Sequence, residues 1–174
     1  MGRKSLAKRK EIMNAMAQGS MPLQVLLVED NPADVLLTRE AFSDSQTPIF
    51  LHVASDGVEA MAFLRREGSY VDAPFPDLIL LDLNLPRING CEVLAHIKAD
   101  DKLKNIPTLI LTASEAEADV ARSYQLHANC YLSKPAKFDA FGELARSIRE
   151  FWLTKLPPRR RLLGEKIRAN ERKP

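Results

Sequence analysis

At 174 residues, with 45% hydrophobic and 28% charged side chains, the chain has room for one core and short extensions, and its composition excludes a disordered, collagen-like or disulfide-framework protein. The formal charge of +2 hides an acidic body: residues 1–20 hold five Lys/Arg against one acid and residues 155–174 eight against two, which leaves 12 basic and 20 acidic side chains between them. No apolar run approaches the roughly 18 residues of a membrane helix, and no apolar block or cleavage site follows the basic start, so neither a membrane span nor a secretory signal is expected and a cytoplasmic protein is.

In chain order, residues 1–20 read as a basic, poorly ordered extension, or as the remnant of a cloning junction, given Gly19-Ser20 ahead of Met21-Pro22. A strand over Gln24–Val28 ends at acids, and a helix over Pro32–Phe42 follows with Asn31 as its N-cap. Ile49–Ala54 is a second strand, and Gly57–Arg66 a second helix with Val58, Met61 and Leu64 on one stripe. Leu78–Asp82 is apolar up to its last residue, as a parallel strand covered on both faces should be, and Glu92–Ala99 is the helix after it. Thr108–Thr112 with Glu115–Tyr124, then Cys130–Ser133 with a last helix marked by Phe138, Phe141, Ile148 and Trp152, complete five βα units. Such units require right-handed crossovers and helices on both faces of the sheet, which predicts an open doubly wound α/β sandwich; a barrel would need three more units. Cys91 and Cys130 have neither CxxC spacing nor a His partner and read as reduced packing thiols. Beyond Thr154, Pro157-Pro158 breaks any arriving helix, and residues 155–174 read as a solvated basic tail with no output domain. Attraction of the tails to nucleic acid or an acidic partner is the weaker reading, because no aromatic platform or helix-turn-helix accompanies the charge.

In doubly wound sheets the reactive crevice lies beyond the carboxyl ends of the strands. Those ends carry Glu29-Asp30, Asp82, Thr112 and Lys134-Pro135. Three converging carboxylates repel one another unless a cation sits among them, and an all-oxygen site of this kind suits Mg²⁺ better than Ca²⁺ or Zn²⁺. A carboxylate beside Mg²⁺, a lysine and a hydroxyl is suited to phosphoryl transfer, in which charge spreads over three equatorial oxygens. Asp82 is then the nucleophile that forms an acyl phosphate. No GxxxxGK[ST] or GxGxxG loop is present to cradle a nucleotide, so the donor is not expected to be bound ATP.

At these residues the sequence resembles the receiver domain of two-component response regulators over about Met21 to Thr154. VEDN at 28–31, LLDLNLPRING at 80–90, ILTAS at 110–114 and YLSKP at 131–135 carry the resemblance in order, spacing and strand context. It implies a flavodoxin-like five-stranded parallel sheet in the order 2-1-3-4-5. It implies also that a sensor histidine kinase's phosphohistidine phosphorylates Asp82, that Glu29, Asp30, Asp82 and the main-chain carbonyl of Asn84 hold Mg²⁺, and that Thr112 and Lys134 contact the phosphoryl group. Tyr131 takes the place of the aromatic switch, and Asn84 and Ser114 take positions that tune acyl-phosphate lifetime. Leu85 and Asn89 depart from the commonest pattern, and Gly90 keeps it. ANCYLSKP followed by SIREFWLTKLP looks like the single-domain regulators paired with bacterial phytochrome kinases. Signalling is then expected through a homodimer or target surface made by the fourth helix, fifth strand and fifth helix, with Phe151 and Trp152 divided between core and surface. The chain is expected not to be an enzyme. The competing reading, a phosphatase of the haloacid dehalogenase type, needs a second acid two residues past the nucleophile, where Asn84 stands; a receiver-like module without phosphorylation is disfavoured by the complete set of chemical positions.

Overall fold

Alternation along the strands divides the core into two layers, and the sheet between them is five-stranded and parallel, in the order β2-β1-β3-β4-β5. The computed structural model describes residues 22–43, 49–113, 116–135, 138–148 and 150. The elements are β1 (Leu23–Val28), α1 (Pro32–Ser43), β2 (Ile49–Ala54), α2 (Gly57–Arg65), β3 (Leu78–Leu81), α3 (Gly90–Ala99), β4 (Thr108–Thr112), α4 (Glu117–Gln125), β5 (Cys130–Ser133) and α5 (Phe138–Ile148), with a 3₁₀ turn at Gly68–Tyr70. This is the flavodoxin-like arrangement expected.

Leu26, Val28, Ile79, Leu81 and Ile110 face one layer with Met61, Phe63, Leu64, Val93, Leu94 and Ile97 of α2 and α3. Leu23, Val25, Leu27, Leu78, Leu80 and Leu109 face the other with Phe42 of α1 and Ile148 of α5. The short central strand β3 is buried at all four positions, and each such leucine or isoleucine is worth about 1.5–3 kcal/mol of transfer free energy.

Several boundaries and one stripe differ from expectation, each for a local reason. Helix α3 begins at Gly90, two residues early, because Asn89 caps it: Asn89 Oδ1 accepts the Glu92 N–H at 3.0 Å, and Glu92 Oε2 accepts the Asn89 N–H at 3.2 Å, a reciprocal capping box. Strand β3 stops at Leu81, and the Asp82 N–H, 3.0 Å from the Val28 carbonyl, carries the pairing one bond further. Val58 is exposed, so the buried stripe of α2 is Gly57, Ala60, Met61, Phe63 and Leu64. Among the described residues no helix is long and apolar enough to cross a membrane. Cys91 is buried and Cys130 half-buried, both as free thiols, and burial raises the pKa of each, which suits inert packing. The two charged tails, Ser114, Glu115, Phe151 and Trp152 lie outside the described residues, as does the side chain of Phe138.

Candidate functional site

The sheet's own hydrogen bonds run past the strand ends and fix the backbone of the acids and the lysine. Glu29 N–H donates to Ala54 O at 2.9 Å, Asp82 N–H to Val28 O at 3.0 Å and Lys134 N–H to Thr112 O at 2.8 Å. Three strand ends therefore converge at one edge with little freedom. Behind Asp82 the turn to α3 is equally confined: Gly90 N–H donates to Leu83 O at 2.9 Å, and a Cβ on Gly90 would collide with the Asp82 carbonyl. In that turn Arg87 has φ +68° and is spanned by a hydrogen bond from Ile88 N–H to Pro86 O at 2.9 Å, the strained form of the three-residue turn. Its guanidinium is held by the buried Asp56, which also accepts the Glu59 N–H at 2.8 Å as the cap of α2.

Ligand oxygens of Glu29, Asp30 and Asp82 lie within 4.8 Å of one another, with Glu29 and Asp82 buried and Asp30 exposed. Asp82 divides its oxygens: Oδ1 accepts the Asn84 N–H at 3.1 Å, and Oδ2 accepts from Lys134 Nζ at 2.6 Å. Lys134 Nζ also meets Glu29 Oε2 at 2.5 Å and Asp34 Oδ2 at 3.0 Å. Burial pushes the Glu29 carboxyl above its ordinary value against the opposing pull of Lys134. Burial by itself would lower the Lys134 ammonium; its hydrogen bonds to Asp82 and Glu29 prevail and hold it well above the usual lysine range. The lysine is a fixed positive charge among buried anions.

Thr112 ends β4 fully buried, on the same sheet face as Ile110. Tyr131, paired with Ile110, is partly buried against the same layer. Thr112 on β4 and Tyr131 on β5, the strand that leads into Lys134, thus share a sheet face. Of the positions singled out in the sequence, Glu29, Asp30, Asp82, Asn84 and Lys134 come together directly, and Thr112 and Tyr131 flank them. Ser114 lies outside the described residues. Sequence reasoning missed Asp34, which reaches the lysine from the first turn of α1, and the Arg87–Asp56 clamp.

The response regulator receiver domain model matches residues 25–146. The chain is 46% identical over 136 residues to the response regulator Rcp1 of Synechocystis sp., covering 78% of this chain and 92% of that protein. Among solved structures it resembles the phosphorylated cyanobacterial phytochrome response regulator RcpA, at 48% identity and TM-score 0.76 over 78% of this chain and 97% of that one. It resembles also the Mn²⁺-bound form of Rcp1, at 46% identity and TM-score 0.75 over 78% and 99%. Receiver domains bind Mg²⁺ in an acidic pocket, and the donor set here fits: three hard carboxylates within reach of one ion, two of them buried. Topology, strand-end chemistry and the match over residues 25–146 agree, and the chain belongs to the response regulator receiver family of two-component signalling proteins.

Proposed function

We propose that this chain takes a phosphoryl group onto Asp82 from the phosphohistidine of a sensor histidine kinase, one of the phytochrome type, and signals by a change of surface. The observation that carries the reading is Asp82 itself. It sits at the end of the central strand, 2.6 Å from a buried ammonium and grouped with two further acids at cation-binding separation. In the transfer a carboxylate oxygen of Asp82 attacks phosphorus, the P–N bond breaks as the P–O bond forms, and the imidazole leaves with the bonding pair and takes up a proton. Glu29, Asp30, Asp82 and the Asn84 carbonyl would hold Mg²⁺, which when bound offsets charge on the phosphoryl oxygens. Lys134 and Thr112 offer donors to the other oxygens, and Tyr131 follows Thr112. Asn84 and Ser114, by their positions in the family's sequence pattern, tune the lifetime of the acyl phosphate.

The phytochrome assignment is supported by the likeness to RcpA. It would place the protein in the cytoplasm, as a receiver over residues 21–154 with basic extensions, acting as a phosphoacceptor and not as a turnover enzyme. The responding face is that of α4, β5 and α5, where a second copy or a target docks. Asn84, whose N–H is bound to Asp82 Oδ1, stands where a phosphatase would need its second acid.

Incubation with acetyl phosphate and Mg²⁺ is expected to add one base-labile phosphoryl group by intact mass, and Asp82→Asn to abolish it. Undiminished labelling of the variant refutes the assignment, and sustained phosphate release from generic monoesters would favour the phosphatase.

A further inference from the structure

Lys134 has three N–H donors, and three carboxylates surround it: Glu29 Oε2 at 2.5 Å, Asp82 Oδ2 at 2.6 Å and Asp34 Oδ2 at 3.0 Å. The first two belong to the group that fits a cation, and Asp34 does not. Asp34 arrives from the first turn of α1, and its side chain is 24% exposed against 2% and 7% for Glu29 and Asp82, so it lies at the mouth of the pocket. The helix start explains its orientation. Asn31 caps the turn, its Oδ1 accepting the Ala33 N–H at 2.9 Å. A Glu or Gln three residues past a cap commonly turns back to the cap's own N–H, and the shorter Asp34 stands at that position. Here that N–H donates to Glu29 Oε1 at 3.1 Å, and Asp34 is free to reach Lys134 instead.

A divalent cation and an ammonium compete for Glu29 and Asp82, since each draws the same oxygens and the two positive charges repel. Once a cation draws those oxygens, Asp34 is the acceptor left to the lysine among its partners in the described residues. We propose that Asp34 is a positioning residue: it retains the Lys134 ammonium beside Asp82 while a divalent cation takes the other carboxylates, so that both positive charges share one pocket. The inference rests on the phosphoacceptor reading above. Its geometry is sufficient for the task, because the two lysine contacts together place Asp34 Oδ2 no more than 5.6 Å from Asp82 Oδ2. An ammonium tethered to Asp34 therefore still reaches a group carried on Asp82. Without Asp34 the lysine keeps, of its partners among the described residues, those whose oxygens the ion draws, and it opposes the ion's entry.

The test is a double-mutant cycle read by Mn²⁺ binding, with the free ion followed by electron paramagnetic resonance at constant ionic strength. Asp34→Asn is expected to raise the Mn²⁺ dissociation constant by about threefold to tenfold, the lower part of the coupling range for residues in direct contact. In a Lys134→Ala background the same substitution should have a much smaller effect, because no ammonium is left to hold. Asp34→Glu should restore the parent value. Equal effects of Asp34→Asn in both backgrounds would mean that Asp34 acts on the ion by bare charge, and would overturn the proposal. A parent chain that takes up no Mn²⁺ would sink the phosphoacceptor reading with it, whereas additive effects in a parent that binds the ion sink only the role of Asp34.

Discussion

Lys134→Ala should make the fold depend on a divalent cation. The ammonium is 7% exposed and lies between Glu29 and Asp82, which are 2% and 7% exposed. Breaking a buried pair by removing one partner typically costs about 3–5 kcal/mol. The anions have one escape, which bounds that loss: Glu29 can take a proton. Its ordinary value is 4.5, so protonation at pH 7 spans 2.5 pH units and costs about 3.4 kcal/mol at about 1.36 kcal/mol per unit. A loss of about 3 kcal/mol is therefore expected without metal. With a urea slope of about 2 kcal/mol per molar, the midpoint should fall by about 1.5 M. Mg²⁺ offers the same anions a different positive charge, and at one hundred times its dissociation constant it would return about 2.7 kcal/mol. With no ammonium competing for these oxygens, the variant should also gain more than the parent at any given Mg²⁺ concentration. Urea titrations of both proteins, with chelator and with Mg²⁺, measure all three quantities. An unchanged midpoint in chelator, or a Mg²⁺ gain no larger than the parent's, would refute this account of how the pocket is balanced.

Gly90→Ala should destabilise by about 1–3 kcal/mol, the usual range for overpacking, and slow labelling of Asp82, because the new methyl group strikes the Asp82 carbonyl and Leu83 Cα; a normal urea midpoint with normal labelling would contradict this. His52, half-buried beside Phe63 with Nε2 2.7 Å from Gln24 Oε1, has its pKa lowered from 6.5 by burial. The unfolded chain therefore binds the proton first, so its contribution is complete above pH 6.5 and is lost as pH falls below it. The fall in urea midpoint from pH 8 to pH 5 should accordingly be smaller in His52→Gln than in the parent. Ser123→Ala should raise stability by about 1 kcal/mol, since it removes a buried hydroxyl with no hydrogen-bond partner among the described residues; a destabilised variant would point to a partner for that oxygen.

What the sequence disclosed, and what it did not, follows the range of each interaction. Leu78–Leu81 could be read as a central strand because burial on both faces leaves no polar position. Glu29, Asp30, Asp82, Thr112 and Lys134 could be collected at one edge because a parallel sheet puts all its strand ends on the same side. Asp34 was hidden because its significance depends on a lysine 100 residues later and on Asn31 spending its N–H on Glu29. The Arg87–Asp56 clamp likewise joins two turns distant in sequence. Asn89 and Glu92 were a local signal passed over, the N-x-x-E spacing that starts α3 at Gly90. Val58 fits the helical period of α2, yet it faces solvent, because period selects a stripe without fixing how far the neighbouring layer reaches across it.

The helices are also unequal in how firmly they are held, and that bears on which face responds. Helices α2 and α3 each bury five residues and begin on side chains that cap them, Asp56 and Asn89. Helix α4 buries one, Ser123, and its N-cap is Ala116, whose methyl side chain cannot accept a capping hydrogen bond. With few buried apolar contacts α4 belongs to the low-stability end of the molecule, where local opening is least costly. The edge that carries Asp82 is the opposite case, since its backbone is held by sheet bonds that run past β1, β3 and β5. A charge change at Asp82 is therefore met by a rigid frame on one side and a loosely held helix on the other. On the proposed reading displacement would follow the softer element, and Thr112 with Tyr131, on the face that α4 covers, lies between the two. That mechanical asymmetry is the physical reason to look for the output on α4, β5 and α5.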